Sequence, residues 1–300
     1  MNTRDIALAI FVMAIWGMHY VVIRIGALEI PPFLLLTLRF GLCSLLFAPF
    51  ASRINLEQLK NIALYALPFQ GIHMGLLFAG LAQVDSSIAA LIMKTGMPFS
   101  ILLGWIFYHE RFGLKTFAGL AIALLGGCIF LYNPAPGSNI TVIGVTFLIF
   151  SAFFWALGSV RLKAISELDF PTMVFYAFTI PLPLAVCTSL LLEDNQIQLL
   201  QNANHIKLAW VLAYQVLLVS FAHYLWKVLI ARNPVYVIAP FSLLTPIFGV
   251  TFGVIIMGEQ FSTTMLIGAI IAMTGIAIVT FRKARRTKKI KNEKQALNEI

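Results

Sequence analysis

The sequence predicts an all-α integral membrane protein: ten transmembrane helices built as two inverted five-helix repeats, with both termini cytoplasmic. Composition is the first reason. Sixty per cent of the 300 residues are hydrophobic, eleven per cent are charged, and mean hydropathy is +0.91, which excludes an ordinary soluble domain. Segment length is the second, because ten stretches approach the ~20 apolar residues that a spanning helix needs. The third is repetition. Trp16 and Pro32 recur 139 positions later as Trp155 and Pro171, and Glu110, Gly119 and Gly126 recur 149 positions later as Glu259, Gly268 and Gly275. A five-helix unit crosses a membrane an odd number of times, so its second copy starts from the opposite face. Many secondary transporters are built this way, with the substrate near the bilayer midplane between the copies.

The first repeat, 1–133, is expected to hold spans at 6–27, 32–51, 61–82, 86–108 and 114–132. The second, 141–282, is expected to hold spans at 141–162, 171–192, 207–230, 235–257 and 263–281; a basic cytoplasmic tail follows at 283–300. Transmembrane strands would alternate apolar and polar residues over ~10 positions, whereas these runs are continuous. The first run is too long for a signal-peptide core and no small-residue cleavage site follows it. Connections are short and leave no room for a soluble domain.

Arginine and lysine sort the loops. Arg4, Arg53, Lys60, Arg111, Lys115, Arg161, Lys163, Arg232 and the tail cations fall on one side, and little beyond Arg24 and Lys207 on the other. The positive-inside rule makes the first side cytoplasmic. The tail supplies most of the formal +9 and reads as an anchor on anionic lipid headgroups, not as a nucleic-acid site. Cys43, Cys128 and Cys187 lie in apolar segments at no metal-ligand spacing and read as packed thiols. The glycosylation pattern at Asn139-Ile140-Thr141 abuts the sixth helix and reads as chance.

No phosphate loop, zinc-protease motif or intramembrane acid pair is present, so no enzyme activity, cofactor or metal is expected. Cations and imidazoles do occur at membrane depth. With ~1.5 Å rise per residue, Lys94 lies roughly 12 Å below the outer end of the fourth helix, and Arg39 roughly 10 Å below that of the second. His19 lies at similar depth in the first helix, His73 near the middle of the third, and His223 in the cytoplasmic half of the eighth. A charge at the centre of a lone helix costs about 2.5–3.5 kcal/mol on insertion scales, so such residues face a partner or a polar cavity. Lys94 is either a cation in a central cavity, attracting a carboxylate, or one satisfied by backbone carbonyls. Arg39 either binds substrate or holds its helix in register. Each histidine is a packed hydrogen-bonded residue or a site residue; a proton-coupled cycle would use His73 or His223, since unperturbed imidazole titrates near 6.5. Arg24 and Lys227 sit near helix ends and read as snorkelling cations.

Interior prolines mark the same region. Lys94-Thr95-Gly96-Met97-Pro98 in the fourth helix matches Ser242-Leu243-Leu244-Thr245-Pro246 in the ninth, 148 positions on. Each proline removes a helical hydrogen bond, and interrupted helices at corresponding positions point to a transporter's binding site. Ser242 and Thr245 are therefore candidate ligands beside the helix breaks. Trp16 and Trp155 lie inside their helices, as cavity walls or as core. The stripes Gly119/Gly126 and Gly268/Gly275 serve either a contact between helices five and ten or a dimer face.

These residues resemble EamA-domain members of the drug/metabolite transporter superfamily. The likeness rests on Ile15-Trp16-Gly17, Val22-Ile23-Arg24-Ile25-Gly26, Pro31-Pro32, Leu38-Arg39-Phe40, Glu110-Arg111-Phe112, Phe154-Trp155-Ala156-Leu157-Gly158 and Gly258-Glu259-Gln260. It spans about residues 4 to 282. It implies export of amino acids or related metabolites across a cell inner membrane, by alternating access through a central cavity; the sequence leaves monomer and homodimer both open. The competing readings are a drug or cation efflux pump, which membrane cations disfavour, and a lipid flippase or scramblase, which needs a polar groove open sideways.

Overall fold

The computed structural model describes residues 1–108, 113–165 and 167–298. The described residues are helical, with no strand among them. Ten long helical stretches run back and forth: α1 (Thr3–Ala27), α2 (Pro32–Phe50), α3 (Leu56–Leu81), α4 (86–108), α5 (Leu114–Tyr132), α6 (Val142–Arg161), α7 (Phe170–Leu192), α8 (His205–Arg232), α9 (235–257) and α10 (Thr263–Asn298). Among the described residues nine are long and apolar enough to cross a membrane; the fifth, with an apolar run of Thr116–Tyr132, is shorter. α10 does not stop at the end of its apolar part but carries the basic tail onward as helix. Glu110-Arg111-Phe112 lies outside the described residues.

Local chemistry sets the helix starts. Asn2, Asn55, Asp169 and Asn204 each accept a hydrogen bond from the backbone N–H three residues on, and Asn55 forms a reciprocal box with Gln58. Such caps satisfy donors that have no partner within the helix. Two starts are capped from a distance. Glu193, at the end of α7, takes the N–H groups of Phe33 and Leu34 at 2.6 and 2.9 Å. Glu259, between α9 and α10, takes those of Ser86 and Ser87 at 2.7 and 2.9 Å. The left-handed Gly258 (φ 67°) turns the chain so that Glu259 can reach back.

The outer skin is apolar. Leu45, Phe117, Leu191, Ile255 and Ile270 are all exposed, a distribution that suits lipid, since an apolar surface of this extent is not left facing water. α1 packs on α9 and α8, α6 on α4 and α3, α2 on α7, and α5 on α10. The last contact consumes the glycine stripe. A Cβ on Gly126 would meet the Ala272 nitrogen at 2.2 Å, and one on Gly268 the Phe130 nitrogen at 2.3 Å. The dimer-face reading of that stripe is thereby removed. Gly17 allows the same approach of α1 to α9, where a Cβ would lie 2.5 Å from that of Phe248.

Candidate functional site

Four of the helices depart from regular α geometry within their apolar spans. α3 has a π-helical stretch at Leu67–Ile72, and α8 has one at Tyr214–Leu218. α4 tightens to a 3₁₀ turn at Met93–Thr95, and α9 does so at Ala239–Leu243. π-bulges concentrate at functional sites. In α9 the cause is readable: Pro246 has no N–H to offer the carbonyl four residues back, which is Ser242. Lys94 Nζ donates to that carbonyl at 3.0 Å, tying the two broken helices together. Lys94 is half-buried, and among the described residues the Ser242 oxygen is its hydrogen-bond acceptor.

A second polar group surrounds Arg39, which is 1% exposed. Its Nη1 lies 3.2 Å from His19 Nε2 and 3.6 Å from Met74 Sδ. The guanidinium also sits 5.8 and 5.7 Å from the ring centres of Phe78 and Phe178, within reach of the π-face attraction that steadies a desolvated cation. His73 and His223 both feel the charge of Arg39, and His19 feels Arg39, His73 and His223. His73 Nδ1 is closed by Ser151 Oγ of α6 at 2.7 Å, and His223 Nδ1 by its own helix at Val219 O, 2.7 Å. Trp16 stacks obliquely on His223 and meets Trp226 edge-on, both at 5.3 Å.

The structure thus gathers Trp16, His19, Arg39, His73 and His223 into one neighbourhood drawn from both halves of the chain. It holds Lys94 and Ser242 in a separate pair. Thr245 is buried and donates to Met13 Sδ at 3.1 Å; Pro246 is buried and Pro98 half-buried. Trp155 stands apart from its repeat-mate Trp16: it is exposed and packs over Gly96.

Two readings are corrected. Arg24 is not a snorkelling cation but 5% exposed, donating to Leu81 O at 2.8 Å and lying 3.8 Å from Asp85. Lys227 does reach a helix end, as expected, donating to Leu168 O in the connection before α7 at 2.7 Å. Cys128 and Cys187 are exposed on the skin, and Cys43 alone of the three is packed.

Sequence reasoning passed over two glutamines. Gln70 and Gln215 sit in the two π-helical stretches and are 5% and 0% exposed. Gln70 Oε1 and both polar atoms of the Gln215 carboxamide have no hydrogen-bond partner; the same holds for Arg39 Nε and Trp16 Nε1. One signal was available, because these are single glutamines in the third and eighth apolar segments, 145 positions apart. Among the described residues no group of His, Cys, Asp and Glu could hold a metal ion.

An apolar multi-helix body with polar side chains gathered at its core is built to move small molecules through a membrane. The chain belongs to the EamA-like transporter family, whose model matches residues 3–132 and 142–281. It is 28% identical to a probable amino-acid metabolite efflux pump of Salmonella typhimurium, over 97% of this chain and 99% of that one. It is 27% identical to the like-named Escherichia coli protein, over 94% and 96%. A solved structure superposes with a TM-score of 0.64 at 17% identity, covering 96% of this chain and 99% of its own, which shows the shared fold.

Proposed function

We propose that this protein exports amino acids or amino-acid derivatives by alternating access between two inverted five-helix repeats. In this reading the chain crosses the inner membrane ten times, with both termini cytoplasmic. The observation that carries the proposal is the Arg39 group, a buried cation with three histidines recruited from both halves of an otherwise apolar bundle. A buried cation at membrane depth suits a carboxylate cargo and repels a cationic drug. The relatives' printed names, amino-acid metabolite efflux pumps, support the same class.

Contact pairing supports the inverted repeat. Exchanging the halves turns α1 on α9 into α6 on α4, and α1 on α8 into α6 on α3, while α2–α7 and α5–α10 map onto themselves. A reporter fused after Arg282 should read as cytoplasmic; an external reading would remove both the topology and the repeat. The test of substrate and direction is metabolite profiling of medium from cells overproducing the chain. Accumulation of amino acids or their derivatives outside is the expected result, and an unchanged medium would refute export.

Lys94 serves in this proposal as a second cation for carboxylates, beside the matched helix breaks at Pro98 and Pro246. Lys94→Met should fold, since it removes a costly charge, yet lower carboxylate flux about tenfold; unchanged kinetics would leave Lys94 as a tie between α4 and α9. Efflux is proposed to run down the substrate gradient. In liposomes an imposed pH difference should then drive no accumulation. Accumulation abolished by His73→Gln or by His223→Gln would replace the facilitator with a proton-coupled antiporter.

A further inference from the structure

The two π-helical glutamines have no assignment in the transport scheme above, and their chemistry is specific. A carboxamide buried in an apolar bundle loses its water, and leaving its oxygen or nitrogen unpaired carries the full desolvation penalty. Here that occurs in the π-helical stretch of each half, at Gln70 Oε1 in α3 and Gln215 Oε1 and Nε2 in α8. Gln215 lies beside His19 of the Arg39 group, and Gln70 stands on the same helix as Met74. Gln70 is one turn from Met74, whose sulfur meets Arg39, and Gln215 lies within reach of the His19 ring, though neither of its polar atoms is well enough aligned to be satisfied. Arg39 retains an unpartnered Nε–H at the same place.

A zwitterion needs two kinds of partner when it leaves water: donors for its carboxylate and acceptors for its ammonium. Arg39 supplies donors. Among the described residues Arg39 forms no ion pair with an acid, so an ammonium beside it is to be received by neutral oxygens. We propose that Gln70 and Gln215 are those acceptors, forming with Arg39 a site for neutral zwitterionic amino acids. The π turns rotate the two carboxamides off the ordinary helical register and toward the interior, which accounts for why the backbone pays for two irregular turns. The site would pass over dibasic solutes, which place a second cation near Arg39, and decarboxylated amines, which leave the guanidinium unpaired.

This inference rests on the exporter reading, and its test keeps the two separable. Wild-type protein in liposomes is screened by counterflow with each of the twenty labelled amino acids. Binding of the best substrate is then compared with that of its hydroxy-acid analogue, which keeps the carboxylate and lacks the ammonium. Gln70→Leu and Gln215→Leu should each weaken amino-acid binding at least tenfold and change hydroxy-acid binding less than twofold. Equal losses for both ligands would overturn the assignment while leaving the exporter standing. Counterflow of no amino acid by the wild type would take both down. Where a leucine variant does not fold, Gln70→Glu and Gln215→Glu, which keep size and acceptor, replace it. They should retain the amino acid and gain at least tenfold for the corresponding decarboxylated amine. An unchanged preference would overturn the proposal.

Discussion

The two ends of the bundle close with the same bond and different surroundings. At one end Asn139, before α6, donates to Asp85, before α4, through Nδ2 at 3.1 Å and its backbone N–H at 2.9 Å. At the other end Asn233, before α9, donates to Asp5 of α1 at 2.8 Å. Asp85 and Asn233 are 148 positions apart, the spacing that relates Pro98 to Pro246. The acid and amide have thus changed places between the ends. The Asp85 end then adds charge: Arg24 beside Asp85, and Glu259 gripping the backbone and both hydroxyls of Ser86 and Ser87. Among the described residues Asp5 makes no ion pair. Opening the Asp85 end, as the proposed alternating cycle requires, would break more polar contacts than opening the Asp5 end.

Removing the cation should break this contrast most. Arg24→Met leaves Asp85 buried beside Glu259 with the Asn139 hydrogen bonds but no compensating charge, and losing one partner of a buried charge pair costs about 3 kcal/mol or more. Unfolding in detergent should show a drop of that order. A loss below about 1 kcal/mol would mean that Arg24 acts through its bond to Leu81 alone. Next comes Glu259→Gln, which keeps one acceptor for the start of α4 and loses the charge that favours a helix N-terminus. A loss of about 1–2 kcal/mol is expected. Asn233→Ala should cost least of the three, about 1 kcal/mol, by leaving one Asp5 oxygen without its donor. An Asn233 effect equal to that of Arg24 would erase the difference between the ends.

Much of the helical layout was legible because apolar length is a strong local signal. The start of α4 at Ser86 and the extents of α5 and α7 agree with expectation to within a residue. The contact of α5 with α10 was legible too, since paired glycines mark close backbone approach. The interior polar groups were less so. Arg24 lies a few residues from a helix end, and whether it snorkels or turns inward depends on which loop covers it. Glu193 and Glu259 cap helices 160 and 173 residues away, a relation that no window of sequence contains. Trp155 shares its repeat position with Trp16, yet one is exposed over Gly96 and the other packed on His223. Repetition conserves the place on the helix, and the neighbours decide what that place does.

The smallest effect expected is a pH dependence, and its sign separates two accounts of the Asp85 end. Burial, with the negative charge of Glu259, raises the Asp85 carboxyl above its ordinary value near 4, while Asn139 and Arg24 pull it down without prevailing. The folded state therefore holds the proton more tightly than the unfolded chain does. The stability this confers is fully present below the unfolded pKa and is lost as pH rises through the folded one. Glu29 and Asp169 oppose it. Hydrogen bonds from Lys207 and from the Thr172 backbone, respectively, lower these carboxyls, so their contributions fade on acidification; both lie at the ends of the bundle, where such contributions are small. Comparing wild type with Asp85→Asn cancels those shared terms. The melting temperature of wild type minus that of the variant should rise as pH falls from 7 toward 4. A difference that falls instead would show that the attraction of Arg24 outweighs burial. Acid would then loosen this end of the carrier, where the arrangement of Arg24, Glu259 and Asn139 around Asp85 has it tighten.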